Sequence, residues 1–372
     1  MKLISLKKNP NIKINKDIIY YLNPDFVYLP GSNIQVSQDE QVLKGEKVCS
    51  NYASPISGIA FGIKKCLFNK KVQNSLVIEN DFRELEDSKE HHYNKITIKN
   101  ILKCLEENKD KDLLAKFKSQ TTFSNIVITT IDDEPYVYNN IFILKENIAE
   151  LLELIDELGV IYKSNHNYLV VKNIDTAIIT DCLNAIGTYP SINLTLVNDE
   201  YLLGNPEFIL EKLQIKDKTL YLTTSELLKL NNYLKGKDTS TILLTISGDA
   251  IKESKILRIK KYTLLKDILS KYFTITVSKY KVIANGLMQG FEITDEFNFV
   301  IDESISSINI MASVDIPKSN CINCGKCIEI CPKGVNPLTK KNINKCINCG
   351  LCSYICPGYV NLKAKLQGDK DV

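Results

Sequence analysis

Cys321-Ile-Asn-Cys324-Gly-Lys-Cys327-Ile-Glu-Ile-Cys331-Pro332 returns 25 residues later as Cys346-Ile-Asn-Cys349-Gly-Leu-Cys352-Ser-Tyr-Ile-Cys356-Pro357. Eight of the chain's 12 cysteines lie in these two runs. Both read C-x₂-C-x₂-C-x₃-C-P. The doubling decides the C-terminal architecture: residues 315–372 are expected to be tight loops and short helices gathered around sulfur.

This spacing is the one that ligates [4Fe–4S] clusters in two-cluster ferredoxins. A cubane offers four iron corners, each wanting one thiolate. Three closely spaced cysteines wrap three corners, and the fourth, pinned by the following proline, turns to the other cluster. Cys321, Cys324, Cys327 and Cys356 are therefore expected at one cluster, and Cys346, Cys349, Cys352 and Cys331 at the second. Gly325 and Gly350 permit tight turns beside the inorganic core, and Ile322, Ile330, Ile347 and Ile355 are the expected apolar lining. Zinc also takes C-x₂-C pairs, but the doubled eight-cysteine pattern favours cubanes. A disulfide framework needs an oxidising compartment, and the chain shows no secretory signal.

A chain of 372 residues with 44% apolar content can build several domains. A net charge of +3 excludes a generally basic nucleic-acid surface. No stretch approaches the roughly 18 apolar residues of a membrane-spanning helix, so the reading is a cytoplasmic protein, peripheral on the membrane's cytoplasmic face only through partners. The basic first 22 residues read as a solvated arm. Three histidines, two of them the loop pair His91-His92, leave little for histidine catalysis. Cys49, Cys66, Cys104 and Cys182 lack ligand spacing and read as small buried thiols.

Along the chain the pattern is multidomain, α/β and α+β. Residues 24–80 read as all-β, a sandwich or small barrel, because short strand-like runs alternate with turn residues at Gly31, Asp39 and Gly45. A charged linker over 79–95 leads to alternating strands and helices from about 96 to 235, an α/β layer with parallel pairing. There Asn125–Thr130, Tyr168–Val171, Leu194–Val197 and Leu220–Leu222 read as strands. Ile148 to Leu158 recurs at helical spacing with Gly159 as its expected end, Glu207–Leu213 reads as a helix, and Thr223-x-x-Glu226 is a capping box. Residues 240–310 read as a small α+β unit, and 315–372 as the cluster domain.

The order of these pieces resembles the C subunit of the Rnf electron-transport complex over nearly the whole chain, and the resemblance implies an N-terminal barrel-sandwich β domain over 1–85, a Rossmann-like, flavoprotein-like α/β domain over 96–237, a β-grasp, SLBB-like domain over 238–312 and a two-cluster ferredoxin-like domain over 315–372. Val42-Leu-Lys-Gly45-Glu-Lys-Val48 with Ser54-Pro-Ile-Ser-Gly58 is similar to that family's barrel-sandwich module. Glu134-Pro135-Tyr136 resembles its Glu-Pro-Tyr segment, and Tyr201-Leu-Leu-Gly204 its Tyr-Pro-Gln-Gly stretch. Thr245–Ala250 and Asn285–Gly290 resemble the entry and exit of its SLBB domain. The barrel-sandwich segment is also similar to lipoyl carriers, but Lys44 lacks their Asp-Lys hairpin context and reads as a surface lysine.

The resemblance implies FMN and NADH in the α/β domain, held by a glycine-rich loop just upstream of Glu-Pro-Tyr. Here the chain departs from the family: no glycine occurs between Gly62 and Gly159, Cys104-Leu-Glu-Glu-Asn-Lys-Asp-Lys-Asp-Leu113 stands where the loop belongs, and Thr129 replaces an asparagine. Glu134 before proline reads as a turn residue. The expected function is an iron–sulfur electron-transfer subunit that relays single electrons between redox partner proteins, Rnf-type membrane subunits or a flavoprotein among them. The expected cofactors are two [4Fe–4S] clusters without FMN or NADH, and no catalytic residue is assigned. The alternative is an FMN-dependent NADH oxidoreductase subunit of an Rnf-type membrane complex.

Overall fold

The computed structural model describes residues 4–368 apart from 32, 50, 51, 88–92, 94, 175 and 314–319. His91, His92 and the expected boundary at 315 lie outside the described residues.

The centre is a parallel four-stranded sheet in the order Ile192–Val197, His166–Lys172, Asn125–Thr129, Thr219–Thr223. Asn125–Thr129 is buried along its whole length. Its alternate side chains enter different cores, as the two-residue strand period requires. Ile126 and Ile128 join Leu169 and Val171 under the helices Ile98–Glu107, Lys111–Lys118, Asn139–Tyr162 and Thr224–Lys235. Val127 and Val170 face the other way, onto Val197, Leu203 and Ile209. Burial on both faces explains why these strands are apolar runs without alternation.

The helix expected from Ile148 to Leu158 runs from Asn139 to Tyr162, with non-helical backbone at Asn147 (φ −129°, ψ 26°). Gly159 does not end it. The cap is Lys163 in the left-handed region (φ 54°). Gly159 is instead a close-packing position, where a Cβ would lie 2.4 Å from Asn167 Nδ2. The Thr223–Glu226 capping box forms as expected, and Gly236 (φ 61°) closes the helix it opens. Thr176–Ile186, which the sequence reading did not find, is a further helix.

A second, mixed sheet has the order Ile14–Tyr21, Ser254–Lys260, Thr241–Ser247, Ser307–Ala312, Tyr280–Ala284, Phe291–Glu292. Leu265, Ile268 and Leu269 of helix Leu265–Tyr272 pack against it. Ile14–Tyr21 corrects two expectations, the solvated arm and the placement of residues 1–85 in one N-terminal unit. Its backbone pairs in parallel with Ser254–Lys260, and Tyr21 is buried in that sheet's core. An edge strand leaves its ladder groups unpaired, and Ile14–Tyr21 satisfies them along one side. Residues before it are also tied down. Ile4 bridges to Tyr201, the Lys7 amide donates to the Tyr354 hydroxyl at 2.9 Å, and Lys8 pairs with Asp199.

The N-terminal β unit is an antiparallel sheet of Phe26–Pro30, Lys71–Asn80, Gly58–Phe68 and Gln41–Val42 beside the pair Lys47–Cys49 and Tyr52–Ala53. Tyr262, Leu264 and Val300 from the far part of the chain complete its core. Lys44 is not a free surface lysine. Its ammonium meets Glu86 at 2.6 Å and Asp238 at 3.0 Å, with 11% of the side chain exposed. Those contacts clip the segment after the β unit to the start of the third unit. Cys49, Cys66, Cys104 and Cys182 are buried.

Candidate metal centre

The doubled cysteine sequence produces doubled backbone. Asn323 and Asn348 sit at φ 53° and 55°, and Gly325 and Gly350 at φ 75° and 76°. Each glycine starts a one-turn helix, Lys326–Glu329 or Leu351–Tyr354. Left-handed backbone at both members of the Asn-Cys-Gly step turns the chain so that successive cysteines face inward. The sequence reading credited the glycines and missed the asparagines. The clue was available, because asparagine tolerates the left-handed region better than most side chains.

Two hollows result. Cys321, Cys324, Cys327 and Cys356 line one together with Ile322, Leu338, Val360 and Leu362. Cys331, Cys346, Cys349 and Cys352 line the other, with Val335, Ile347 and Leu351 among its apolar walls. Each hollow thus takes three thiols from one run and the fourth from the other. Ile322 and Ile347 line the hollows as expected. Ile330 and Ile355 are not in either wall, and Ile330 instead packs beside Met288 and Leu351.

The thiols feel each other. Burial first, then the thiols of Cys356, Cys321 and Cys324, push the Cys327 thiol above its usual value. Burial followed by Cys331 and Cys346 does the same at Cys349. At Cys352, burial and then Cys349 push the thiol up to about 11. Backbone amides already point at two sulfurs: Asn323 N–H at Cys321 Sγ (3.4 Å) and Val335 N–H at Cys331 Sγ (3.3 Å). Among the described residues, no group of three or more His, Cys, Asp or Glu is placed to hold a metal ion directly. The sulfurs ring a space instead of converging on a point. A single tetrahedral zinc needs four sulfurs about 2.3 Å from one centre, whereas an iron–sulfur cubane occupies the space between its ligands. Soft donors, four per hollow, in apolar walls fit the cubane.

The two hollows have different settings. Cys321 and Cys324 are exposed, and Ile322 beside them is 64% exposed. The second hollow is seated on the rest of the chain. Cys349 and Leu351 share an apolar cluster with Tyr201, Leu202, Phe208 and Met288. The Tyr201 hydroxyl donates to the Cys349 carbonyl at 2.6 Å. Lys363, which lines this hollow, donates to the carbonyls of Met288 (3.0 Å) and Gly290 (3.2 Å). A Cβ at Gly350 would lie 2.5 Å from the Met288 carbonyl oxygen, while one at Gly325 would meet nothing within 4 Å.

Glu134 grips the same loop from the α/β unit, which corrects its reading as a plain turn residue. Its carboxylate accepts from the amides of Met288 (2.8 Å) and Gln289 (2.7 Å). Gly286 lies under it, where a Cβ would fall 2.1 Å from Glu134 Cγ. Burial pushes the Glu134 carboxyl up to about 7, against the pull of those amides and of Lys363. Neighbouring Asp133 accepts from Gly204 N–H at 2.7 Å, and burial lifts it to about 6. Tyr136 (φ 64°) and Leu202 (φ 73°) hold left-handed backbone on these two segments. Strain of this kind persists where surrounding contacts over-determine the chain. The segments Glu134–Tyr136 and Tyr201–Gly204 therefore form the seat of the second hollow.

Residues 104–113 form no phosphate cradle. Ile98–Glu107 and Lys111–Lys118 are helices whose Ile101, Cys104, Leu105 and Leu113 are buried in the α/β core. The turn between them is capped by Asp110, which accepts from Leu113 N–H at 3.1 Å and pairs with Lys229. A carboxylate occupies the helix N-terminus where a phosphate would need free N–H donors.

Residues 318–334 and 343–360 match the model of the 4Fe-4S binding domain family. Over 96 residues the chain is 33% identical to the C subunit of the proton-translocating ferredoxin:NAD(+) oxidoreductase complex of Clostridium ljungdahlii. That match covers 25% of this chain, which spans only 21% of the relative. Among solved structures, NAD+-reducing [NiFe]-hydrogenase matches in its air-oxidized and H2-reduced states, with TM-scores of 0.48 and 0.46 and 11% identity. Each covers 58% of this chain and 47% of the matched one. No helix of the described residues is long and apolar enough to cross a membrane.

Proposed function

We propose that this chain, RnfC-like by its partial match and its 4Fe-4S binding domain, relays single electrons between redox partner proteins through two [4Fe–4S] clusters. The observation that carries the reading is the exchange of fourth cysteines: each hollow has four thiols, three from one run and one from the other. A bound cubane takes up and releases one electron at a time. The protein's part is to present Cys321, Cys324, Cys327 and Cys356 to one group and Cys346, Cys349, Cys352 and Cys331 to the other. It also keeps water off the second hollow with Leu351, Ile347 and Val335. The amides of Asn323 and Val335 donate to the sulfurs of Cys321 and Cys331 and help to fix where those two ligands point.

Flavin chemistry belongs to a partner in this reading. Two helices stand in place of a glycine loop, and the acidic Asp110 cap repels a phosphate. Glu134 is committed to the amides of Met288 and Gln289. Without a flavin that accepts hydride, NADH cannot feed one-electron centres. The match to one member of an NAD(+) oxidoreductase complex keeps the flavoenzyme alternative as the second reading.

Anaerobic reconstitution tests both. The relay requires about eight iron and eight sulfide per chain, with reversible reduction. Stoichiometric zinc with little iron refutes it. Incubation with FMN, gel filtration and NADH-driven reduction of an artificial acceptor separate the two readings. Retained flavin with turnover of about 1 s⁻¹ or more would establish the flavoenzyme.

A further inference from the structure

Residues 320–368 carry seven lysines against one acid, Glu329. The whole chain has 47 basic and 44 acidic residues, so what remains is 40 against 43, slightly acidic. The basic excess is thus confined to the smallest unit of the fold.

Two of the seven lysines are spent inside the structure. Lys333 pairs with Glu207, and Lys363 holds the Met288 and Gly290 carbonyls. Both line the second hollow. The other five, Lys326, Lys340, Lys341, Lys345 and Lys365, are exposed and pair with no acidic side chain among the described residues. Each sits within three residues of a side chain or glycine that lines a hollow. The same unit exposes large apolar side chains: Ile322 (64%), Leu338 (42%), Ile343 (39%) and Tyr359 (67%). An apolar centre inside a charged rim is the anatomy of a transient protein interface. Ile322 and Leu338 also line the first hollow, beside exposed Cys321 and Cys324.

We propose that this face is the docking surface of a small acidic protein carrying a one-electron centre near its own surface. The inference rests on the electron-relay reading and adds the entry point and the partner's charge. One electron passes from the reduced carrier to the oxidised centre in the first hollow; no bond forms and no proton is required. An anionic membrane would satisfy the lysines too. It would not explain why the basic excess is confined to the unit that carries the two hollows, and a bilayer supplies no electron.

Reconstituted full-length protein is mixed anaerobically in a stopped-flow instrument with reduced flavodoxin, an acidic one-electron carrier. The reverse charge is probed by letting the pre-reduced protein reduce cytochrome c, a basic acceptor. Steering by complementary charge raises association rates about 10- to 1000-fold and decays with ionic strength. The flavodoxin rate is expected to fall at least about tenfold between low and high salt. The variant K340E/K341E/K345E is expected to lose a similar factor at low salt and to speed up with cytochrome c. The neutral variant K340Q/K341Q/K345Q should fall between the two. Iron content and dithionite reduction should stay as in the parent, which separates docking from folding. Intact clusters with a flavodoxin rate indifferent to salt and to both variants overturn the surface and leave the relay reading standing. A chain that takes up no iron overturns the relay reading itself and the surface with it. Salt-sensitive binding to phosphatidylglycerol vesicles, with that same indifference to flavodoxin, overturns the acidic carrier and assigns the face to a membrane.

Discussion

Gly325 and Gly350 occupy equivalent places in the two cysteine runs, yet replacing each by alanine should have unequal effects. Both hold left-handed backbone, φ 75° and 76°, so each alanine carries the same local penalty of about 1–2 kcal/mol. The surroundings differ. A Cβ at Gly350 would sit 2.5 Å from the Met288 carbonyl oxygen, inside van der Waals contact with backbone, whereas at Gly325 nothing lies within 4 Å. Met288 cannot simply retreat, because its amide is held by Glu134 and its carbonyl by Lys363. Overpacking of this sort costs about 1–3 kcal/mol. That is roughly a 5- to 150-fold increase in the population of the undocked C-terminal unit, from the tenfold-per-1.4 kcal/mol relation. Iron loss to a chelator samples such local opening. Anaerobic bleaching of the visible absorbance should therefore be faster in Gly350→Ala than in Gly325→Ala by about that factor. Its faster phase should belong to the centre held by Cys331, Cys346, Cys349 and Cys352. Equal rates in the two variants would refute the claim that Gly350 seats this unit on the 285–290 loop.

Cys331→Ser should damage the centre shared with Cys346, Cys349 and Cys352, read by electron paramagnetic resonance of each centre; loss confined to the Cys321–Cys327 centre would refute the exchanged assignment. Lys363→Met removes a cation from the wall of the second hollow and should lower the potential of that centre alone in a spectroelectrochemical titration, because positive charge nearby favours the reduced form; equal shifts in both centres would count against it. Asp133 and Glu134, lifted by burial to about 6 and 7, have folded values above their ordinary ones. Their contribution to stability is full below about pH 4 and is lost as the pH rises through 6 to 7. Exchange protection of the Met288 and Gln289 amides, corrected for intrinsic rates, should fall across that window, and Glu134→Gln should flatten the response; an unchanged slope in the variant would remove Glu134 as its origin. Tyr201→Phe strands the buried Cys349 carbonyl and should destabilise the seat by about 1–3 kcal/mol, seen as faster chelator bleaching; a rate equal to the parent's would show that the hydroxyl contributes nothing.

What was legible from sequence was whatever local chemistry dictates. The cysteine runs specify their own turns, since Asn-Cys-Gly brings left-handed backbone with it. The strands Asn125–Thr129 and His166–Lys172 and the Thr223–Glu226 box declare themselves by pattern within a few residues. What stayed hidden depends on partners far along the chain. Ile14–Tyr21 looks like a basic arm because the strand that pairs with it begins at Ser254. Lys44 looks like surface because Asp238 is invisible from position 44. Glu134 is the sharpest case. Next to Pro135 it has the local signature of a turn, and only the folded chain brings it under the amides of residues 288 and 289.

That misreading carries a physical consequence. A buried carboxylate needs donors, and here the donors come from the loop that also supports Gly350, while Lys363 ties its carbonyls to the second hollow. Glu134, the 285–290 loop and the second hollow form one mechanical unit joining three parts of the chain. Among the described residues the first hollow has no such bracket, and it opens toward solvent through Cys321 and Cys324. A relay needs this asymmetry. One centre must be held at fixed distance from the body of the protein, and the other must be reachable by a partner that comes and goes. The two cysteine runs share one spacing, so the difference between the hollows comes from what each run packs against. In the proposed relay the direction of electron flow would be set by the potentials of the centres and their partners, while the packing sets which centre a partner can reach, and the repeat itself does not encode that.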